Sequence, residues 1–387
     1  MENKRRYDID QLRVIAILAV YFHHIGMPFN GDKFHIMNGD ASKILDDIMV
    51  FFEQFRLPLL FLISGTGTMF AFSKRTWWQF VKERNARLLI PFFFGGVFIV
   101  PPQTYFEFMD AYSSYFQIYE QLDFRVNHLW FIWNLFIISM AVIPLILFLK
   151  SAKAHFFIHR LEVIGFRKFG VLLWVLPLII ITLILKKYYP TDEKNISNLS
   201  STFFYGYYFI AGMVLATSKH IWGYLKAYRK FNFITFIVCS ILFYGYYYLP
   251  SAFISPYLSI PVRWSIWYVV SMLVGWTLVI TLLGYAQIWF TKNSTLLKKS
   301  NEAIYPFYIL HQTVIIVLAY YIVQLEMSIP VKMIVLIFTS FPLIIIIYRF
   351  LIYPFKIPRI LFGMKNKKIM AQVPKAKPLL RTKHQLE

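Results

Sequence analysis

Ten apolar segments follow one another along the chain, and this pattern limits the fold more than any other feature of the sequence. A helix needs about 20 mainly apolar residues to cross the hydrocarbon core of a bilayer. Inside lipid, a helix bonds its backbone N–H and C=O groups within its own segment. We therefore predict an all-α, polytopic membrane protein with about ten transmembrane helices. The predicted segments are residues 11–28, 48–72, 88–107, 128–149, 170–189, 202–218, 231–249, 264–290, 302–325 and 330–353.

The amino-acid composition excludes an ordinary soluble domain. Of the 387 residues, 58% are hydrophobic and 20% aromatic, while only 15% are charged. Soluble domains carry far more charge and fewer apolar residues. The single cysteine, Cys239, lies inside an apolar segment, which excludes disulfides and cysteine-based metal sites. We find no sequence pattern for a metal site.

The positive charge alternates between successive loops. The N-terminus, the C-terminal tail and the loops after segments 2, 4, 6 and 8 hold 29 of the 40 Lys and Arg residues. The opposite loops, counted together with the segment ends beside them, hold 8, and Arg13, Arg56 and Arg349 lie deeper within segments. Cytoplasmic loops are enriched in Lys and Arg, so both termini are predicted to be cytoplasmic. The net charge of +21 thus reflects topology and attraction to anionic lipid, not nucleic-acid binding.

One membrane domain is predicted over residues 1–355. The remaining segment, 356–387, is polar, basic and contains proline. Such a composition cannot bury enough apolar surface to fold, and we predict a disordered cytoplasmic tail.

The first apolar segment contains two groups that are costly to place in lipid. Ten residues separate Arg13 from His24 in the stretch LRVIAILAVYFHHIGMPF. A helix rises about 1.5 Å per residue, so the two side chains start roughly 16 Å apart along the axis. This spacing places Arg13 near the cytoplasmic face and His24 near the middle of the bilayer. Ionisable groups at such positions are functional candidates by default.

Two interpretations of this pair stay open from the residues alone. In the functional one, the imidazole of His24 is a general base and Arg13 holds a phosphate or carboxylate. In the structural one, Arg13 extends to lipid headgroups and His24 hydrogen-bonds to a neighbouring helix. The adjacent His23 points about 100° away around the helix, and we interpret it as structural.

His311 enters the membrane from the same side as the first segment. It lies about nine residues into the ninth segment, within NEAIYPFYILHQTVII, which is roughly 13 Å deep. His24 and His311 are therefore predicted at similar depths. We interpret His311 as a supporting or proton-relay residue for His24.

A pair of arginines follows the second segment, at the predicted cytoplasmic boundary. Arg84 and Arg87 are three residues apart, so they share one face of a helix. Arginine side chains bind phosphate in a bidentate manner, and the pair predicts an anion site. The alternative is that the two charges only anchor the helix at the membrane surface.

Three other motifs have plainer interpretations. Gly65 and Gly67 in PLLFLISGTG are small residues that allow helices to pack closely. Glu53 and Arg56 are three residues apart and are predicted to neutralise each other on one helix face. His128, in NHLWFIWNLF, is predicted at the outer membrane interface.

These motifs together resemble the acyltransferase 3 family of bacterial integral membrane acyltransferases. The similarity extends from residue 7 to about residue 355. It rests on YDIDQLRVIAIL with Arg13 and His24, LPLLFLISG, Arg84 and Arg87 leading into RLLIP, HLWFIWNL, and AIYPFYILH. Within the family, the chain most resembles the glucan biosynthesis protein C succinyltransferases, through PLLFLISG, FVKERNARLLIPFFFG and VPPQTYFE.

The resemblance implies an enzyme of the bacterial inner membrane that transfers an acyl group other than an amino-acyl group. The expected donor is a cytoplasmic acyl-CoA, either acetyl-CoA or succinyl-CoA. The expected acceptor is a hydroxyl of a cell-envelope glycan or a similar molecule. By position, Arg13 and His24 fill one family motif, and Arg84 and Arg87 fill a second. Arg84, Arg87 and Arg13 would bind the donor, and His24, Arg13 and His311 would serve catalysis.

A different class of protein also explains ionisable residues inside the membrane. A transporter or flippase of a glycan or lipid-linked substrate would need them without any acyl-transfer chemistry. The arginine pair separates the two classes, because an acyl-CoA enzyme needs a cytoplasmic phosphate site and an exporter does not.

Overall fold

Helices are the only regular secondary structure in the part of the chain that the structure describes. The computed structural model describes residues 5–73, 75–165 and 167–365. The prediction of an all-α protein is confirmed. The longer helices are α1 (Tyr7–Gly26), α2 (Lys43–Glu53), α3 (Arg56–Phe72), α4 (Trp77–Glu107), α5 (Asn127–Ala141), α6 (Ile143–Lys150), α7 (Ala154–Gly165), α8 (Leu172–Lys186), α9 (Leu199–Thr217), α10 (Lys219–Ala227), α11 (Arg229–Tyr247), α12 (Ile260–Trp289), α13 (Thr295–Ile322), α14 (Ile329–Ile352) and α15 (Lys356–Leu361).

Among the described residues, 8 helical stretches are long and apolar enough to cross a membrane. One of them, Lys43–Phe72, consists of α2 and α3 together. A ninth is formed by α5 and α6, which are bent by 48° relative to each other. The bend has a simple cause, because Pro144 in the first turn of α6 lacks the N–H that would continue the helical bonding. The chain is a multi-pass membrane protein.

The predicted segment 170–189 forms a shorter helix than expected. At about 1.5 Å per residue, α8 rises roughly 22 Å, which is less than the hydrocarbon thickness of about 30 Å. The helix ends at Lys186, whose ammonium binds the Asp192 carboxylate at 2.5 Å and the Thr191 carbonyl at 2.8 Å. Ten apolar elements therefore occupy the predicted positions, but α8 is too short to cross a bilayer of that thickness unaided.

Two helices form the centre of the bundle. Of the most apolar 18-residue stretch in α13, 67% is buried inside the protein, and in the first span, Tyr7–Phe29, this share is 61%. By contrast, only 17% of the corresponding stretch in α11 and 22% of that in α14 is buried. The central helices are the ones that carry His24 and His311, so both histidines are shielded from lipid.

Close backbone packing joins α3 to α9. A Cβ on Gly65 would lie 1.9 Å from the carbonyl oxygen of Phe209, and a Cβ on Gly212 would lie 1.9 Å from that of Leu62. The hydroxyl of Thr66 also donates to the Gly212 carbonyl at 2.9 Å. The prediction that Gly65 allows close packing is confirmed. Gly67 instead faces Arg13, with its hypothetical Cβ 3.7 Å from Nη2.

Contacts bring the most basic loops together at one end of the bundle. The Lys150 ammonium donates to the Phe72 carbonyl at 3.0 Å, which joins the loops after α3 and α6. Ser218 donates to the Glu162 carboxylate at 2.5 Å, which joins α7 to the start of α10. This grouping agrees with the alternation of charge along the sequence. The end that holds these loops is the one predicted to face the cytoplasm.

The predicted domain boundary at residue 355 is too early. Helix α15 lies beyond it and packs against the bundle, because Arg359 is 4% exposed and binds the Glu302 carboxylate at 2.9 Å. Phe362 is also buried. Apolar and paired residues here offset the basic composition that suggested disorder. The rest of the predicted tail, from residue 366 onward, lies outside the described residues.

Candidate active site

Helix α1 carries the two residues that the sequence singled out, near its opposite ends. Arg13 lies in the second turn of α1, near the end predicted to be cytoplasmic, and His24 lies in its last turn. At about 1.5 Å per residue, the spacing is roughly 16 Å. A single rigid element therefore fixes the distance between an arginine-rich end and a histidine-rich interior.

Three histidines meet inside the bundle. The ring of His24 lies 5.2 Å, centroid to centroid, from that of His311, and His311 lies 5.3 Å from His128. His311 is 1% exposed and His128 is 5% exposed. Phe34, from the loop after α1, stacks on His24 at 5.9 Å. The structure thus brings His24 and His311 together, as their predicted depths suggested.

Hydrogen bonds fix which ring nitrogens hold protons. The Nδ1 of His311 bonds to the Tyr308 carbonyl, and the Nε2 of His128 bonds to the Ile309 carbonyl at 3.0 Å. A carbonyl accepts only, so each of these nitrogens is the donor of its neutral ring. The Nε2 of His311 then carries a lone pair. In this arrangement His311 can accept a proton.

Two nitrogens in the cluster have no protein partner. The Nδ1 of His24 and the Nε2 of His311 are buried and make no hydrogen bond. Buried polar atoms without partners are rare, because each one costs about 1–3 kcal/mol. A substrate hydroxyl or a proton passed between the rings would satisfy them. The cluster is therefore suited to proton transfer.

A chain of polar side chains runs from this cluster toward the predicted outer end of the bundle. Gln103, which is fully buried, lies 3.4 Å from the Nδ1 of His128 and accepts from Gln312 at 3.2 Å. Gln312 donates to the Nε2 of His35 at 3.0 Å, and the Nδ1 of His35 pairs with Glu107. The chain links a half-buried carboxylate to the buried rings.

Sequence reasoning missed Gln103, Gln312, His35 and Glu107, and it misplaced His128. Polar residues at helix ends and in loops are too common to stand out. His128 was predicted at the outer interface, but it is buried against α13. The residue before it, Asn127, explains part of this, because its left-handed backbone (φ 41°) and its bond to Gln103 at 3.0 Å turn the chain inward.

Arginines gather at the other end of α1. The Nη2 of Arg84 donates to the Thr68 hydroxyl at 2.6 Å, and Arg87 pairs with Glu83 at 3.6 Å. Arg13 pairs weakly with Asp10 at 3.4 Å. Three guanidinium groups within electrostatic range of one another favour the binding of a multiply charged anion.

The arginine cluster extends to two further residues. The Tyr305 hydroxyl is buried without a hydrogen-bond partner and lies within electrostatic range of Arg84 and Arg87. Desolvation lowers the pKa of the Lys365 ammonium, and the charge of Arg87 lowers it further. An anion bound at the arginines would have these two further groups available as hydrogen-bond donors.

A break in the helical pattern separates Arg84 from Arg87. The segment Asn85–Leu89 is a π-helical turn within α4, and Gly95–Ile99 is a second one. Such turns are rare and frequently occur at functional sites. The prediction that the two arginines share a face assumed a regular α-helix; the π-helical turn changes the angle between them, and their charges remain close.

The predicted ion pair of Glu53 and Arg56 forms across a helix break. Glu53 ends α2 and Arg56 begins α3, so the two do not share a helix face. Their closest N···O distance is 3.7 Å. The pair involves Nη2 of Arg56, while its Nε and Nη1 have no hydrogen-bond partner.

Within the described residues, no group of three or more His, Cys, Asp or Glu side chains is arranged to hold a metal ion.

Comparison with known proteins gives one match. The family model of the acyltransferase domain, acyltransferase 3, matches residues 6–349 of the chain. No curated protein and no solved structure matches this chain.

Proposed function

Because the chain belongs to the acyltransferase 3 family and is a membrane acyltransferase, we propose that it moves an acyl group from a cytoplasmic acyl-CoA to a hydroxyl acceptor. The proposed donor is acetyl-CoA or succinyl-CoA. The proposed acceptor is a cell-envelope glycan or a similar molecule in a bacterial inner membrane. The family assignment sets aside the alternative of a transporter or flippase without acyl-transfer chemistry.

One observation carries the proposal. Helix α1 holds Arg13 within an arginine cluster at one end and His24 within a histidine cluster in the bundle interior. Acyl-CoA has the matching polarity, because its phosphates and its thioester lie at opposite ends of an extended arm. Phosphates at Arg84, Arg87 and Arg13 would leave the thioester free to extend toward His24.

The arginines supply binding rather than chemistry. Guanidinium groups form charge-assisted hydrogen bonds to phosphate, and these are stronger than neutral ones. Arg84 is held in place by Thr68, so less conformational entropy is lost when the anion binds. Membrane lipid would surround the helix bundle. We propose no nucleic-acid partner.

The histidine cluster supplies the acid–base step. His24 takes the proton of the acceptor hydroxyl as the oxygen attacks the thioester carbonyl. A C–O bond forms, the C–S bond breaks, and the CoA thiolate leaves with a proton returned from the imidazolium. His311, whose Nε2 is unprotonated in its neutral ring, is placed to accept a proton from His24 or to pass it on.

Similarity to the glucan biosynthesis protein C branch supports a glucan acceptor and a succinyl donor. The motifs that carry this closer similarity include VPPQTYFE, which ends at Glu107 of the outer polar chain.

Mass spectrometry of envelope glycans from cells with and without the gene tests the proposal. We expect acylated glycans only in cells that hold the gene, and their loss when both Arg84 and Arg87 are replaced by Ala. Identical glycan profiles at normal protein abundance would overturn the proposed acceptor class.

A further inference from the structure

Arg56 is a buried cation with unused hydrogen-bonding capacity. It is 4% exposed, and its Nε and Nη1 are buried without a hydrogen-bond partner. Its ion pair with Glu53 involves only Nη2, at 3.7 Å. A guanidinium in this state has lost its water without full compensation, which is costly unless a ligand completes the contacts.

The carboxylate of Glu53 is shared, so it cannot neutralise Arg56 alone. Its Oε1 also lies 3.5 Å from the Nε2 of His23. Its side chain is 37% exposed, so part of its interaction is screened by water. His23 therefore has a role beyond the packing that the sequence suggested.

A second cation adds to the positive charge. Lys194, in the loop before α9, interacts electrostatically with both Glu53 and Arg56. Lys194 is an exposed residue, yet desolvation by the surrounding protein lowers the pKa of its ammonium. Asp192 also interacts with Lys194, but its carboxylate is bound by Lys186 at 2.5 Å. Arg56 and Lys194 thus both interact with the Glu53 carboxylate.

The start of α3 adds partial positive charge near Arg56. Its capping residue, Phe55, provides no side-chain hydrogen bond, so the first N–H groups of this 17-residue helix are not capped by that side chain. Helix N-termini carry partial positive charge and favour anions. Gly275 on α12 lets this end approach closely, because a Cβ there would lie 2.4 Å from the Gln54 carbonyl oxygen.

Arg56 also lies near the candidate catalytic residue. Arg56 lies within electrostatic range of His24, and the rings of His23 and His24 are 5.6 Å apart. A group bound at Arg56 would therefore belong to a molecule that reaches His24.

We propose that Arg56, Lys194 and the N-terminus of α3 form a subsite for a carboxylate that a substrate carries beside His24. This inference rests on the proposed function and refines its substrate class. The carboxylate has two conceivable sources, the free end of a dicarboxylic acyl group such as succinyl, or an acidic sugar of the acceptor.

Binding measurements on the purified full-length protein in detergent test the subsite with two matched pairs of probes. The first pair is succinyl-CoA and acetyl-CoA, which differ by a carboxylate on the donor. The second pair is glucuronate and glucose, which differ by a carboxylate on the acceptor. We expect the wild-type protein to bind the charged member of one pair about tenfold more tightly or better.

Substitutions then locate the site. Arg56→Gln should abolish the preference and leave the affinity for the uncharged member unchanged, while Arg56→Lys should keep part of it. Lys194→Gln should weaken the preference at an exposed position, so it serves as the second variant if Arg56→Gln fails to fold. Lys187→Gln removes a neighbouring exposed lysine and should change nothing.

The outcomes are distinct. Loss of preference in the donor pair assigns the carboxylate to the acyl group, and loss in the acceptor pair assigns it to the acceptor. No preference in either pair, or a preference that both variants retain, would overturn the subsite. Failure of the proposed function would give a different result: neither succinyl-CoA nor acetyl-CoA would bind, or Arg84→Ala would not change their affinity. In that case the comparison of glucuronate with glucose would still test the subsite.

Discussion

The imidazole rings of His24 and His311 lie 5.2 Å apart, centroid to centroid, although they come from opposite ends of the chain. Each ring presents a buried nitrogen without a protein partner, Nδ1 in His24 and Nε2 in His311. The two helices that carry them are the most buried spans in the described part of the bundle. The two rings are therefore neighbouring imidazoles with free hydrogen-bonding capacity in the interior of the bundle, as the proposed acid–base role requires.

Topology is the first prediction. The loops at residues 73–87, 150–169, 219–230 and 291–301 should face the cytoplasm together with both termini, because they hold most of the basic residues. In a Cys239→Ser background, Arg160→Cys should resist labelling by an impermeant thiol reagent in intact cells, and Tyr257→Cys should be labelled. Both positions are exposed. Labelling of residue 160 from outside would show that the basic loops face outward, and the arginine cluster could then not bind a cytoplasmic donor.

Donor binding is the second prediction. Arg84→Ala or Arg87→Ala should weaken acyl-CoA binding by about tenfold or more per residue, because each removes a charge-assisted contact to phosphate. Arg84→Lys should restore only part of the affinity, since a point charge lacks the planar fork. The readout is the Kd for acetyl-CoA in detergent.

The matched control is Lys299→Ala, which removes an exposed cation from a predicted cytoplasmic loop. It should leave the Kd unchanged. Wild-type affinity in the double variant Arg84→Ala, Arg87→Ala would remove the donor site from this cluster.

The contact between α3 and α9 gives the third prediction. Gly65→Ala should destabilise the protein by about 1–3 kcal/mol, because its Cβ would clash with the Phe209 carbonyl oxygen. Gly206→Ala on the facing helix meets nothing within 4 Å and should be neutral. Thermal unfolding in detergent compares the two. Equal midpoints for both variants would show that the helices do not pack through these glycines.

The sequence predicted the features that follow from hydropathy and charge. The positions of the apolar segments, the close packing at Gly65 and the similar depths of His24 and His311 all agree with the structure. These features are local or periodic, so they can be recognised in one sequence.

Other features depend on contacts between distant segments. The break between Glu53 and Arg56, the π-helical turns of α4 and the inward position of His128 do not show in the hydropathy or charge pattern. The hydrogen-bonded series of Gln103, Gln312, His35 and Glu107 joins three separate parts of the sequence, because Gln103 and Glu107 both lie in α4. No spacing within one segment could have indicated it.

The central claim is that His24 performs the acid–base step, and one variant tests it most directly. His24→Gln keeps a hydrogen-bonding side chain but cannot take up a proton near neutral pH. His311→Gln should lower the rate of acyl transfer less than His24→Gln does. His159→Gln, in the exposed part of α7, should leave this rate unchanged.

The measurement is the rate of acyl transfer from acyl-CoA in proteoliposomes that contain equal amounts of folded wild-type and variant protein. The account predicts that His24→Gln lowers this rate by about 10² to 10⁴, as expected for loss of a general base. A rate close to that of the wild type would show that His24 only packs or gates the interior, and it would contradict the mechanism.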